Sequence, residues 1–238
     1  KQVPACEYNP MEAIKTNING TQAVINAAID ANVDRFVGLS TDKAVNPVNL
    51  YGATKLCGEK LIVQSNSYSG DKRTKLSCVR YGNVVGSRGS VIPIFQKQRE
   101  KGEVTVTDPR MTRFWMTIEQ GVRFVISCVE RMRGGEIFVP KIPSMSILDL
   151  VKAVAPDCAV KEIGIRPGEK LHEVLLSREE SLHSYDLGEL FAVIPLHPWW
   201  TANEWTEGKK LETMKPYSSD GNDRWLTIEE LRDLVKKK

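Results

Sequence analysis

Ser40-Thr41-Asp42-Lys43-Ala44-Val45-Asn46-Pro47-Val48-Asn49-Leu50-Tyr51-Gly52-Ala53-Thr54-Lys55 decides how the rest of the chain is read. A short apolar run precedes it, Arg35-Phe36-Val37-Gly38-Leu39, of the kind that forms a buried strand in a parallel sheet. Beyond it the spacing predicts a helix carrying Tyr51 and Lys55. Residues four apart share a helix face, so an ammonium is expected beside a phenol. A fixed positive charge favours the phenolate and would lower the tyrosine pKa toward neutrality. A phenol poised in that way takes a proton from a hydroxyl while hydride leaves the same carbon. Taken alone, Tyr-x-x-x-Lys also fits a solvated helix face; the Ser-Thr-Asp ahead of it makes the pattern specific.

Composition sets the outer limits. A chain of 238 residues buries one large core or two small ones. Charged residues at 26% and apolar ones at 41% are ordinary for a soluble globular protein. The net charge of +3 is too small to argue for nucleic acid, and no dense run of Lys and Arg forms a stripe. Lys236-Lys237-Lys238 reads as a frayed helix end. The five cysteines, Cys6, Cys57, Cys78, Cys128 and Cys158, are scattered and lack Cys-x-x-Cys spacing. That favours reduced core thiols in the cytoplasm over a disulfide framework or a zinc site. No apolar run approaches the ~20 residues of a membrane span, so neither a membrane span nor a leader is expected.

Strand, Ser-Thr-Asp and Tyr-x-x-x-Lys together resemble the extended short-chain dehydrogenase/reductase family, the NAD(P)-dependent nucleotide-sugar enzymes. The resemblance runs over essentially the whole chain, through Arg80-Tyr81-Gly82-Asn83-Val84-Val85-Gly86, Asp108-Pro109-Arg110-Met111-Thr112-Arg113-Phe114-Trp115 and Gly164-Ile165-Arg166-Pro167-Gly168-Glu169-Lys170. Finer features look like the branch of UDP-N-acetylglucosamine 4,6-dehydratases that invert C5. Retaining hexose dehydratases place a glutamate after Thr-Asp, where Lys43 stands here. Membrane-anchored relatives and similar 2-epimerases commonly have a methionine at the place of Tyr51.

The resemblance implies an α/β, Rossmann-like fold with a smaller α+β substrate domain. Residues 1–89, with 118–139 returning, would form the Rossmann part; 90–117 and 140–238 would bind the nucleotide sugar. It implies NADP as cofactor, a UDP-sugar as substrate and a homo-oligomer. Tyr51, Lys55, Ser40 and Val84 are expected at the cofactor, with Tyr51 and Lys55 also catalytic alongside Asp42, Lys43 and Thr41. Lys43 would take the C5 proton and Asp42 would protonate the leaving C6 oxygen, giving a 4-keto-6-deoxy sugar. Lys1, Asn83, Ser90, Val91, Thr107, Arg166 and Glu169 are expected to hold the substrate, Arg166 by clamping the diphosphate. Strand-end capping is the plain alternative for Ser40 and Thr41, and a surface turn for Arg166. An epimerase, a retaining dehydratase and an inactive nucleotide-sugar-binding fragment stay open as rival functions.

A dinucleotide enzyme should open with a strand, a glycine-rich turn and a helix whose N-terminus holds the pyrophosphate. No such unit occurs in this sequence. Lys1 to Asn9 resembles the segment just after the fourth strand of that fold, so roughly ninety preceding residues are expected to be missing, at ~30 per βαβ unit.

Elsewhere the pattern predicts a helix over Met11 to Asn32, with Pro10 in its first turn and Gly20 marking close packing or a bend. Asn17 fits either an exposed face or a family position near the active-site water. Gly86 to Gly89 is a loop that either approaches phosphate or does nothing special. Val104–Thr107 and Arg113–Met116 are expected to form a hairpin about Asp108-Pro109-Arg110. Glu136 to Val139 reads as a returning last strand, and Lys170 to Leu176 as another strand. Thr117-Ile118-Glu119-Gln120 and Thr227-Ile228-Glu229-Glu230 are capping boxes. His172-Glu173 lacks a second histidine and reads as structural. His197-Pro198-Trp199-Trp200 and Trp205 read as a hydrophobic lid or an aromatic platform.

Overall fold

The computed structural model describes residues 3–69, 73–87, 90–197, 200 and 207–236. Lys1, Arg88, Gly89, Pro198, Trp199, Trp205, Lys237 and Lys238 lie outside the described residues. The chain folds as two compact units, one of Lys1–Tyr81, Val122–Lys141 and Val174–Tyr217, the other of Gly82–Gly121, Ile142–Glu173 and Ser218–Lys238.

The chain enters through α1 (Val3–Tyr8) and α2 (Pro10–Ile14), with Pro10 in the first helical turn, where its missing N–H costs nothing. A π-helical turn, Lys15–Asn19, leads into α3 (Gly20–Asp30). The irregularity expected at Gly20 therefore lies just ahead of it. Next come β1 (Arg35–Leu39), a 3-10 turn at Asp42–Ala44, α4 (Leu50–Gln64) and β2 (Lys75–Val79). β3 (Asn83–Val84), α5 (Val91–Arg99), β4 (Glu103–Val106) and β5 (Thr112–Met116) follow. α6 (Ile118–Arg131) then leads to β6 (Ile137–Pro140), β7 (Ser144–Ser146), α7 (Ile147–Val154) and β8 (Ala159–Glu162). The last stretch carries β9 (Val174–Leu176), α8 (Arg178–Ser181), β10 (Ser184–Asp186) and β11 (Leu190–Val193). β12 (Lys209–Lys210), β13 (Tyr217–Ser218) and α9 (Ile228–Lys236) close the chain.

The first unit is built on a six-stranded sheet in the order β1-β2-β6-β11-β10-β12. β1, β2 and β6 run parallel, with Arg35 opposite Lys75 and Val79 opposite Phe138. This is the α/β class with a parallel sheet that the sequence leads one to expect. Val79, Cys128, Met132, Phe138, Leu190, Ala192 and Ile194 form its core. Each large side chain among them contributes about 1.5–3 kcal/mol by leaving water. Among the described residues β1 pairs with β2 alone.

The second unit holds a three-stranded sheet, β3-β5-β7, and a parallel pair, β4 with β8. Ile92, Phe95, Val104, Trp115, Met145, Leu150 and Leu231 are among the residues of its core. Both capping boxes form, Thr117 with Gln120 and Thr227 with Glu230.

Three expectations are corrected. β4 and β5 are not a hairpin: β4 pairs with β8, and β5 lies between β3 and β7. Alternation identifies a strand but not its partner, and Asp108 turns the chain by chelating the Arg110 guanidinium at 2.7 and 3.0 Å. β6 is not the last strand, because β11 adds antiparallel to its far side and β10 follows. β10, β11 and β12 thereby extend the first unit's sheet. The strand expected from Lys170 is only Val174–Leu176. Arg113 takes the Lys170 carbonyl at 3.0 Å, which a ladder would otherwise use.

Candidate active site

At the carboxyl end of β1 the chain turns sharply. The Ser40 amide donates to the Val79 carbonyl at 2.7 Å, extending the β1–β2 pairing by one residue. Thr41 then caps the 3-10 turn, its hydroxyl oxygen accepting from the Lys43 amide while the hydroxyl donates to Asp42 Oδ1 at 2.8 Å. Lys43 Nζ sits 3.0 Å from that same carboxylate oxygen. Asp42 is 1% exposed and Lys43 8%, so this is an ion pair inside the protein, where charges are kept only when partnered.

Asn49 opens α4, accepting from the Gly52 amide at 2.7 Å, and Glu7 accepts from the Leu50 amide. Satisfying the first-turn N–H groups in this way fixes where the helix starts and thus where Tyr51 points. Gly52 is buried, and a Cβ there would lie 2.1 Å from the Lys43 carbonyl oxygen. The 3-10 turn and the first turn of α4 are therefore in direct backbone contact. Thr54, one turn on, donates to the Tyr51 carbonyl at 3.0 Å and accepts from Asn17 of the π-helical turn at 3.0 Å. Asn17 thus faces α4, not solvent, and π turns recur at functional sites.

The phenol and the ammonium behave differently from the simple four-residue argument. Burial pushes the Tyr51 phenol up to about 12; Lys43 pulls it down, and Asp42 adds to the rise. Lys55 instead donates to the Leu39 carbonyl at 2.6 Å. Its own pKa is lowered by burial, with Cys78 and Glu59 opposing. The expected lowering of Tyr51 by Lys55 is therefore corrected: desolvation outweighs charge, and the cation that favours the phenolate is Lys43. Asp42, Lys43 and Tyr51 are close enough for the two charges to shift the phenol.

The Ser40 hydroxyl turns inward and donates to Glu59 Oε1 at 2.5 Å. Glu59 is the residue that sequence reasoning missed. It lies four residues beyond Lys55, and extending the same spacing by one step along α4 would have found it.

Asn83, Val84, Ser90, Val91, Thr107, Arg166 and Glu169 belong to the second unit. Asn83 and Val84 form β3, beside Trp115 and Met116 of β5. Ser90 precedes α5, whose first residue is Val91; its hydroxyl is buried and makes no hydrogen bond among the described residues. Thr107 Oγ1 lies 3.1 Å from Met111 Sδ. Arg166 pairs with Glu169 at 2.5 Å across a turn whose Gly168 has φ +79°. The Arg166 side chain is 68% exposed. His172 accepts from or donates to Thr112 at 2.8 Å, a contact internal to this unit. Among the described residues no cluster of His, Cys, Asp and Glu has the makings of a metal site, and no helix is long and apolar enough to cross a membrane.

Comparison with known proteins gives consistent relatives. Residues 1–195 match the family described as "Polysaccharide biosynthesis protein". A UDP-N-acetylglucosamine 4,6-dehydratase (inverting) of Campylobacter jejuni is 51% identical over 99% of this chain and 73% of its own length. A UDP-glucose 4-epimerase of Rickettsia canadensis is 43% identical over 99% of this chain and 71% of its own. Among solved structures, Pen from Bacillus thuringiensis superposes with a TM-score of 0.87 at 39% identity, covering 100% of this chain and 73% of that one.

Proposed function

Since this chain belongs to the polysaccharide biosynthesis protein family, we propose that it dehydrates UDP-N-acetylglucosamine to a UDP-4-keto-6-deoxy-hexosamine with inversion at C5. The observation that carries the reading is the buried Asp42–Lys43 pair, 3.0 Å apart, within electrostatic reach of the Tyr51 phenol. Elimination of water needs an acid and a base on neighbouring carbons besides the group that serves the C4 hydroxyl. Epimerisation at C4 needs only the last.

In this mechanism Tyr51 removes the C4 hydroxyl proton. A nicotinamide dinucleotide, which we take to be NADP, would be held at its ribose by Lys55 and would supply the hydride chemistry at C4 and C6. With C4 a ketone, the C5 proton is acidic; Lys43 as neutral amine takes it, and Asp42 as neutral acid protonates the departing C6 oxygen. Lys43 then delivers a proton to the opposite face of C5. The direct contact of Asp42 and Lys43 supports this division, because a proton shared between them leaves an amine and an acid together. Arg166 and Glu169 are proposed to meet the diphosphate and uridine, and Ser90 and Val91, at the N-terminus of α5, the phosphate.

The residues present suit the nicotinamide end of the cofactor. Lys55 uses the Leu39 carbonyl for one of the three donors of an ammonium, which suits the others to a ribose diol. The reading also places the protein in the cytoplasm, as a homo-oligomer and a lyase.

Incubating the chain with UDP-N-acetylglucosamine and NADP+ is expected to give a product lighter by one water. A product of unchanged mass would favour the epimerase instead, a reading that the 43% identity to the Rickettsia enzyme supports. Saturable NADP+ binding tighter than NAD+ binding is expected; the reverse order would replace NADP by NAD. Gly52→Ala should separate chemistry from stability. Its methyl cannot share space with the Lys43 carbonyl, so the stability cost is expected at about 1–3 kcal/mol. Turnover should fall about a hundredfold, as for an angstrom-scale displacement of a reacting group. Urea unfolding and kcat on the same preparation check both numbers.

A further inference from the structure

Behind the reacting turn lies a second cluster of charge with no part in the proton transfers. Arg80 is 0% exposed and Glu59 1%. Arg80 donates through Nε to Glu59 Oε1 at 2.8 Å and through one terminal nitrogen to Oε2 at 2.6 Å. Its terminal nitrogens also reach both oxygens of Glu180 at 2.8 Å and the Leu175 carbonyl at 3.3 Å. Glu180 itself closes the capping box at the start of α8, with Ser177. Against the lowering of the Lys55 pKa by burial, Glu59 also pulls it upward.

Such a cluster is a poor device for stability alone, since an apolar group of similar volume is often as good or better, and its best-attested use is to fix a geometry. Here the geometry is specific. Tyr51, Lys55 and Glu59 stand at four-residue steps along α4. Lys55 holds the Leu39 carbonyl and Glu59 holds the Ser40 hydroxyl. The last two positions before Thr41-Asp42-Lys43 are thus tied to the helix that carries the phenol.

We propose that Ser40 is a positioning residue: through Glu59, itself clamped by Arg80, which Glu180 also holds, it keeps the Asp42–Lys43 turn in register with Tyr51. This rests on the reading of those three residues as the proton-transfer groups. Removing the hydroxyl loosens the turn and leaves the Arg80–Glu59–Glu180 cluster complete, so the fold survives.

The test uses the 238-residue chain. For Ser40→Ala, kcat for dehydration is expected to drop about tenfold or more while KM for UDP-N-acetylglucosamine stays within about twofold. Ser40→Thr, which restores the hydroxyl, should recover most of the loss. Amide hydrogen exchange over residues 41–44 is expected to accelerate about tenfold in Ser40→Ala, with Tm nearly unmoved. Unchanged exchange over those residues overturns the proposal whether or not the parent chain turns over, and so does a kcat equal to the parent's. Lys43→Ala and Tyr51→Phe serve as the separate check on the reaction: full activity in both would sink the proton-transfer reading while the exchange result still decides the role of Ser40.

Discussion

Tyr51→Phe is expected to lower turnover of UDP-N-acetylglucosamine by about 10²–10⁴-fold, the usual worth of a positioned proton-transfer group. Lys43→Ala should behave differently. It leaves the phenol in place but removes the cation that favours the phenolate, so C4 oxidation would slow and the release of water would stop. Following cofactor absorbance beside product mass separates the two variants. A Tyr51→Phe protein that kept more than about a tenth of the parent rate would remove the phenol from the mechanism. The pH dependence has a definite sign. With the phenol at about 12, the phenolate fraction is small at neutrality and grows as pH rises. The parent rate should therefore climb between about pH 7 and pH 10. Stability moves the other way. The folded value of about 12 lies above the ordinary 10.0, so the unfolded chain loses its proton first. The contribution is complete below pH 10, declines as pH rises through the folded value, and should be missing from the phenylalanine variant.

The largest effect on stability is expected at Arg80. In Arg80→Leu the carboxylates of Glu59 and Glu180 would face each other without the guanidinium that now receives them at 2.6–2.8 Å. Breaking a buried pair by removing one partner costs about 3–5 kcal/mol, because a buried charge is left uncompensated. Urea unfolding at neutral pH should show that loss. Lowering the pH should recover part of it as the stranded carboxyls take up protons. A midpoint within about 0.5 kcal/mol of the parent would mean that Arg80 adds nothing beyond its volume.

Much of this was legible in the residues. The apolar run before Ser40 is β1, the helix begins one residue before Tyr51, and both Thr-x-x-Glu/Gln boxes form where the spacing puts them. These features are local, and local chemistry decides them. What escaped depends on partners distant in sequence. β4 finds β8 across more than fifty positions, and Glu59 finds Arg80 twenty-one residues later. The phenol escaped for another reason: counting neighbouring charges along a helix leaves out the water taken away from Tyr51, and that is the larger influence. Ser40 shows the same limit, since a strand-end hydroxyl looks alike whether it faces a ligand or a buried carboxylate.

The π turn at Lys15–Asn19 has a last consequence. A turn widened by one residue shifts the angular phase of everything before it by about 100°, at 3.6 residues per regular turn. Shortening the segment by a single position would let the helix wind evenly from Pro10 to Asp30, at the cost of swinging the Asn17 amide away from Thr54. Helix content would rise while the anchor on the phenol-bearing helix was lost, so this excess residue is a spacer whose value lies in keeping two neighbouring helices out of step.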